Sequence, residues 1–393
     1  MTSLPARSDP LPKIGDLAAE AGIRRIHVFA WRDLDDVEAG GSEVHIAQVA
    51  KLWAAAGLEV MLRTSWAQGH PPMVRRDGYE VVRRAGRYLI FPRAVGSELV
   101  GRMGKRDALI EIWNGMPFFS PVWARGPRLV FLHHVHAEMW RMVLPENLAK
   151  AGDFIERRLA PPLYRRSRVV TLSESSRREL IELGYKPDRV SAGPPGVDPR
   201  FRPGGRRSTE PLVVAVGRLV PVKRYDQLIR AAHAARRTVP NLQLNIVGEG
   251  YEREALLSLV DELDASSWVT FLGGVTDDQL VRLYRRAWVV ASASAREGWG
   301  MTITEAAACG TPAVATRIAG HEDAVADGLT GLLADDVDEL GAALARVLTD
   351  GELRASLGAA ALARAAQYSW PATATELMRI LASEALRRRP DTR

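Results

Sequence analysis

Residues 211–224 read PLVVAVGRLVPVKR. A run of small and β-branched apolar residues stops at Gly217 and gives way to Arg218, a proline turn and Lys223. A short apolar run bounded by glycine, with a helical pattern behind it, describes a strand buried on both faces. The unit recurs at 242–248 (LQLNIVG), 268–274 (WVTFLGG), 287–293 (AWVVASA) and 311–316 (TPAVAT). An earlier block offers strands at 24–31 (RRIHVFAW), 58–64 (LEVMLRT), 107–113 (DALIEIW), 128–133 (RLVFLH) and 168–173 (RVVTLS). Its first helix, over 42–57, ends at a glycine stop. Strand–helix alternation in two blocks predicts an α/β protein with two Rossmann-like domains facing each other across a cleft.

The 393 residues exceed what one hydrophobic core usually serves. A stretch dense in Pro, Gly and Arg, SAGPPGVDPRFRPGGRRSTEP (191–211), marks the join. The expected division is an extension over 1–23, a first domain over 24–195 and a linker over 196–210. A second domain follows over 211–368. The closing segment, 369–393, is a helix crossing back to the first domain, with a charged tail. Apolar residues make up 47% and charged residues 25%, ordinary for a globular chain. No run approaches eighteen apolar residues, so no membrane-spanning helix is expected. The first twenty-two residues lack an apolar core, so they do not read as a signal peptide. A lone cysteine, Cys309, allows no internal disulfide and fits a reducing cytoplasm.

Charge is unevenly spread. Residues 1–200 hold 30 basic against 23 acidic groups, and residues 201–393 hold 23 against 24. The stretch 75–106 alone has nine basic and three acidic groups. One reading is a solvated surface. The other is a face for anionic lipid headgroups or an anionic acceptor, which would place the protein peripherally at the inner face of a membrane. No nucleic-acid motif accompanies the charge. The neighbouring DALIEIWNGMPFFSPVW (107–123) is unusually aromatic, which fits a buried segment, an acceptor groove or a membrane-facing edge.

Three stretches carry chemistry. In AGGSEVHI (39–46), Gly40 and Gly41 stand between a strand and a helix N-terminus, where bare backbone amides can approach a phosphate or simply make a tight turn. In VGRLVPVKR (216–224), Arg218 and Lys223 follow a strand at its carboxyl end, and two cations there suit a pyrophosphate. In REGWGMTITEA (296–306), Glu297 and Glu305 lie eight positions apart, the first beside a glycine-rich turn and the second on the helix behind it. A glycosidase sets two carboxylates on opposite sides of one bond and has no use for the cations. These glutamates read instead as holders of hydroxyls.

VGRLVPVK followed some eighty residues later by EGWGMTITEA resembles the signature of the retaining family-4 glycosyltransferases with the GT-B fold. GGSEVH, LVFLHH, the PPGVD linker and the closing YSWPATATELMRIL are similar to the same family in the same order, so the likeness spans roughly residues 24–385. It implies a sugar moved from a nucleoside-diphosphate donor to an acceptor hydroxyl without a metal or other cofactor. It also implies roles. Gly41, with Gly40 beside it, approaches the donor phosphate. Arg218 and Lys223 neutralise the departing diphosphate. Glu297 holds sugar hydroxyls, while the amides of Gly298, Trp299, Gly300 and Met301 line the sugar. Thr302 contacts the phosphates, Glu305 the ribose, and Gly248 and Val275 lie around ribose and base. His133 lies near the transferred sugar. Arg224 stands where a glycine is often found, and Pro195-Gly196 where Asn-Gly is common.

HHVH (133–136) raises a metal question, answered against a site because no cysteine is near and the spacing does not put the ring pair on one strand face. His136, Trp140 and Arg141 are acceptor-side candidates. The rival readings are an epimerase or phosphorylase on the same fold, and a non-enzymatic sugar-binding protein. A nicotinamide dehydrogenase is disfavoured because no strand ends in GxGxxG.

Overall fold

In the computed structural model, which describes residues 10–137 and 139–389, the two blocks form two separate sheets. The first holds β1 (Arg25–Phe29), β2 (Glu59–Thr64), β3 (Met73–Arg76), β4 (Tyr79–Arg83), β5 (Ala108–Trp113), β6 (Arg128–Leu132), β7 (Arg168–Thr171) and β8 (Val190–Ala192). Their order is β3-β4-β2-β1-β5-β6-β7-β8, parallel except for β3. The second holds β9 (Leu212–Val216), β10 (Gln243–Val247), β11 (Val269–Gly273), β12 (Val289–Ser292), β13 (Ala313–Thr316) and β14 (Gly331–Ala334). Its order is β11-β10-β9-β12-β13-β14, parallel throughout. In each sheet the first strand sits between its chain successor and a later strand. The order therefore reverses at β1 and at β9, and ligands of open α/β sheets bind beyond the carboxyl ends at such points.

The apolar runs are strands because helices cover both faces of the inner strands, while the edge strands β3 and β11 keep exposed positions. β5 is buried at every position. Val213 and Ala215 of β9 lie in a core shared with the helices Tyr225–Arg236 and Val337–Thr349, and Val214 between them is buried on the opposite face. The sequence reading passes over β3, β4, β8 and β14. For β3 and β4 the signal is present: Asp77-Gly78 joins them with both residues at positive φ (46° and 88°), the two-residue turn that Asp-Gly favours.

That hairpin also changes the meaning of the basic stretch. Arg83 is buried and donates to both Asp33 oxygens at 2.7 and 2.9 Å and to Asp35. Arg76 pairs with Asp35 at 2.5 Å, Arg106 with Glu98 at 2.5 Å, and Arg87 with Glu38. Four of the nine basic groups in 75–106 are thus neutralised within the protein, so the stretch is not the uniformly cationic face its composition suggests. Burial opposes the Asp33 charge, but Arg83 hydrogen bonds, the Asp35 amide and Thr64 hold the carboxyl below its ordinary value. The aromatic segment 107–123 is mostly core as well. Phe118 lies 5.4 Å from Phe29 and 4.7 Å from Phe91, and Trp113 4.9 Å from Tyr164, so these rings are core, while Val122 is exposed.

The chain divides into two compact units. One comprises residues 10–137, Lys150–Gly196 and 370–389, and the other residues 139–149 and Val197–Ser369. The last helix, Trp370–Arg388, belongs to the first unit, where it packs on the helices Pro10–Glu20 and Gly41–Ala55 and accepts a 3.0 Å bond from Trp53 Nε1 at Ala374. From Pro10 onward the expected extension is therefore part of that unit, with Ile14 and Ala18 buried. Residues 1–9 of the extension and 390–393 of the tail lie outside the described residues. Residues 139–149, read as part of the first domain, cluster with the second unit. Among the described residues no helix is long and apolar enough to cross a membrane.

Asp33→Ala leaves a buried guanidinium short of its main partner and is expected to cost about 3 kcal/mol in a denaturant titration. A loss of about 1 kcal/mol or less, the size seen for exposed pairs, would refute the buried network.

Candidate functional site

The second unit gathers its functional side chains at the carboxyl ends of β9, β12 and β13. After β9 the chain passes Gly217 and Arg218, makes a single 3-10 turn over Pro221–Lys223, and enters the helix Tyr225–Arg236 through Arg224 in left-handed conformation (φ 48°). This turn aims the Lys223 ammonium at Glu297, which follows β12, and the two form an ion pair. Ser294 donates to the same carboxylate oxygen at 2.8 Å, and Thr316 at the end of β13 fixes the Ser294 carbonyl at 2.7 Å. Burial disfavours the Glu297 charge, but Lys223, His321 and Ser294 outweigh it and keep the carboxyl ionised below its ordinary value.

Gly298, Trp299 and Gly300 form the loop, and the helix Met301–Ala308 begins directly after Gly300 at φ 100°. Met301 and Thr302 are therefore first-turn helical residues rather than loop residues, and their amides are among those a helix start leaves without internal partners. Trp299 is buried with its ring edge-on to Tyr368 at 5.2 Å. Glu305 lies one turn into the helix and accepts a 3.1 Å bond from the Tyr284 hydroxyl. Its environment differs from that of Glu297, since no cation pairs with it. Burial pushes its pKa up to about 7, with the Tyr284 bond and Arg200 pulling down and Asp198 pushing up.

Backbone approaches hold these loops in place. Gly248, at φ +130° after β10, lies so close to Gly217 that a Cβ would meet its carbonyl oxygen at 2.0 Å. Gly320 is pressed in the same way on the Glu297 carbonyl and the Trp299 amide. Val275 lies beyond the edge strand β11, between it and the helix Asp277–Arg286. His321, one residue after Gly320, is buried with Nδ1 2.8 Å from the Thr316 carbonyl. Neither His321 nor Ser294 and Tyr284 figure in the sequence reading. The small polar run ASASA ahead of Glu297 was the available signal for Ser294.

Gly40, Gly41, His133 and His136 lie in the first unit. Gly40 caps the helix Gly41–Ala55, but its N–H is taken by Glu43 at 2.8 Å, which also accepts from Ser42. The Glu43 carboxylate, with Arg32 3.6 Å away, thus takes the Gly40 amide at this helix start. His133 is fully buried beside Phe131 (4.7 Å) and His45 (5.8 Å), and burial drives its pKa far below the ordinary value, so the ring is neutral. The HHVH loop is clamped by buried Glu156, which accepts the amides of His136 (2.7 Å) and Ala137 (2.9 Å). Trp140 and Arg141 sit on the short helix Met139–Val143, which clusters with the second unit rather than with the first; Trp140 is buried and Arg141 exposed. Among the described residues no three His, Cys, Asp or Glu side chains are grouped to hold a metal ion.

Comparison with known proteins covers both units. The model described as Glycosyl transferases group 1 matches residues 198–364, and that described as Glycosyltransferase Family 4 matches 39–201. The chain is 31% identical to a D-inositol 3-phosphate glycosyltransferase of Nocardia farcinica, over 87% of this chain and 84% of the relative. It is also 31% identical to a GDP-mannose-dependent alpha-(1-6)-phosphatidylinositol monomannoside mannosyltransferase of Mycolicibacterium smegmatis, over 75% and 81% respectively. Among solved structures, Anabaena HepE in complex with UDP and glucose matches with a TM-score of 0.72 at 21% identity, over 92% of this chain and all of that one. That likeness shows the fold, GT-B with two Rossmann-like domains.

Gly248→Ala is expected to lower stability by about 2–3 kcal/mol, because it forces a strained φ against a backbone carbonyl. Gly274→Ala has nothing within 4 Å of its added methyl and serves as the control. Equal unfolding midpoints for the two variants would contradict the loop contact.

Proposed function

The chain belongs to the glycosyl transferases group 1 family and is a glycosyltransferase, and from that premise we propose that it moves a hexose-type sugar from a UDP- or GDP-sugar to an acceptor hydroxyl with retention of configuration. The observation that carries the reading is the convergence of Lys223, Ser294, Glu297 and the start of the Met301–Ala308 helix at the topological reversal of the second sheet. The chemical task is to stabilise negative charge on the departing diphosphate and positive charge at the anomeric carbon. Arg218, Lys223 and the amides of Met301 and Thr302 address the first, in the place a metal ion would fill elsewhere.

Glu297 addresses the sugar. Before the donor arrives, its carboxylate and the Lys223 ammonium satisfy each other. A diphosphate drawn to Lys223 shares that cation, and the carboxylate lone pairs turn to the sugar hydroxyls. No side chain here is posed as a covalent nucleophile, so the proposed course is a front-face displacement in which the leaving phosphate helps accept the acceptor proton. Glu305 holds the ribose hydroxyls. His133, neutral at the end of β6, is assigned to the donor sugar, and His136, Trp140 and Arg141 to the acceptor side.

The acceptor is proposed to belong to cell-envelope glycolipid or polysaccharide synthesis. A small phosphorylated polyol is the second reading, because the names of the relatives above pair inositol with a phosphate or phosphatidyl group. Purified protein offered UDP- and GDP-sugars with each acceptor class, in chelator, tests the proposal; the anomeric configuration of the product decides retention. A strict need for magnesium or manganese, or an inverted product, overturns it.

Lys223→Ala and Glu297→Ala are each expected to reduce kcat/KM by about 2–4 kcal/mol, the size of a deleted oxyanion donor, with the fold intact. Near-normal turnover in Glu297→Ala would remove its role. The ionised Glu305 carboxyl accepts ribose hydroxyls at both oxygens and more strongly than the neutral acid, and its pKa is raised to about 7. Donor affinity should therefore be full above pH 8 and fall below pH 7 by an amount approaching roughly tenfold per unit. Glu305→Gln should bind weakly and without that slope. A flat wild-type profile from pH 6 to 8 would remove the ribose assignment.

A further inference from the structure

The second unit carries slightly more acidic than basic residues, yet one of its concavities is lined by three arginines and no carboxylate. It measures about 500 Å³, within the range of small-molecule sites, and lies between the segment around Pro203–Arg207, the turn Cys309–Gly310 and the helix Gly351–Ala365. None of its residues belongs to the donor site described above.

The three guanidiniums are fixed by neutral partners. Arg207 donates to the carbonyls of Ala287 and Gly310 and, at 2.5 Å, to the Thr311 hydroxyl. Arg354 donates to the Val347 and Leu348 carbonyls at 2.8 and 3.1 Å and lies 4.1 Å above the Trp288 ring. Arg285 donates only its Nε, to the Arg202 carbonyl at 2.8 Å, so both terminal nitrogens remain without a partner among the described residues. Carbonyl and hydroxyl partners orient a guanidinium but leave its charge whole.

Arg76, Arg83 and Arg87 in the first unit are paired with carboxylates and have raised pKa values in consequence, whereas burial lowers Arg63, bonded to carbonyls, and Arg128. Arg207 and Arg354 follow the latter pair. Burial lowers both, neighbouring Arg354 lowers Arg207 further, and only Asp350 offers Arg354 an opposing pull. Cys309 on the floor adds no negative charge, since burial pushes its thiol up to about 11. Like charges held together in a concavity without a counter-ion require an anion from outside. Arginine forks favour doubly bonded oxygen pairs, and three of them match a phosphomonoester or diphosphate better than a single carboxylate.

We propose that this arginine-lined concavity is a second anion site, distinct from the donor site, that binds a small phosphorylated ligand through Arg207, Arg285 and Arg354. The bound group would sit at the foot of the helix that carries Glu305, because Gly310, gripped by Arg207, directly follows that helix.

Calorimetric titration of inorganic pyrophosphate into the full chain, at fixed ionic strength, tests the site. Saturable binding is expected in the wild type and in Lys223→Ala, and within the Lys223→Ala background it is weakened at least about tenfold by Arg285→Gln and by Arg354→Gln. Arg285→Lys, which keeps the charge and loses the fork, should fall between. Should either glutamine variant unfold, the other and Arg285→Lys still decide. Loss confined to Lys223→Ala, equal loss in all variants, or a response that never saturates overturns the proposal. Vesicles of phosphatidic acid in phosphatidylcholine form a second arm. Arg285-dependent binding to them alone would assign the phosphoryl group to a lipid headgroup.

Discussion

One ion pair organises the second unit. Lys223 and Glu297 are 74 residues apart in sequence and leave different strands, yet their charges meet. For this to happen, β9 and β12 must be neighbours, the turn over Pro221–Lys223 must be tight, and the loop after β12 must fold back rather than run outward. The Ala295 amide reaches the Val222 carbonyl at 2.8 Å, a backbone brace directly beneath the side-chain contact. A mostly buried pair of this kind is costly without further hydrogen bonds; the Ser294 hydroxyl donates to the carboxylate, and Thr316 holds Ser294 in place through its carbonyl. The site is thus a continuation of the sheet's pairing into side chains.

Two glutamates on one short stretch have opposite electrostatic fates. Glu297 faces an ammonium and stays charged; Glu305 faces a phenol and is held near neutrality. Both are withdrawn from water, so the difference comes from partners alone. A carboxylate paired with a cation and a carboxyl that can gain or lose its proton near neutral pH are chemically distinct, and the helix start between them leaves amides without internal partners.

Much of this was legible in the sequence, for a physical reason. Parallel strands buried on both faces leave long apolar runs, and the turns after them must use glycine where backbones touch, as Gly248 and Gly320 do. Strands at the sheet margins were harder. β3 and β8 are short, and only the Asp77-Gly78 turn betrays the hairpin. Partners were harder still. Nothing local says that Arg83 will be buried on Asp33, fifty residues away, because such a contact depends on which elements the fold brings together, whereas the Glu43 bond to the Gly40 amide is a local one, three residues along the chain. Composition counted the arginines of 75–106 as surface charge, and tertiary pairing reassigned four of them.

The last helix has a bearing on how the molecule is made. Trp370 abuts His45 at 5.2 Å, and Trp53 is tied to Ala374 across 321 positions of sequence. The amino-terminal sheet is therefore missing one of its covering layers until residues 370–388 have been made, after the whole of the second sheet. Until then Trp53 lacks the carbonyl that its indole N–H bonds in the folded protein.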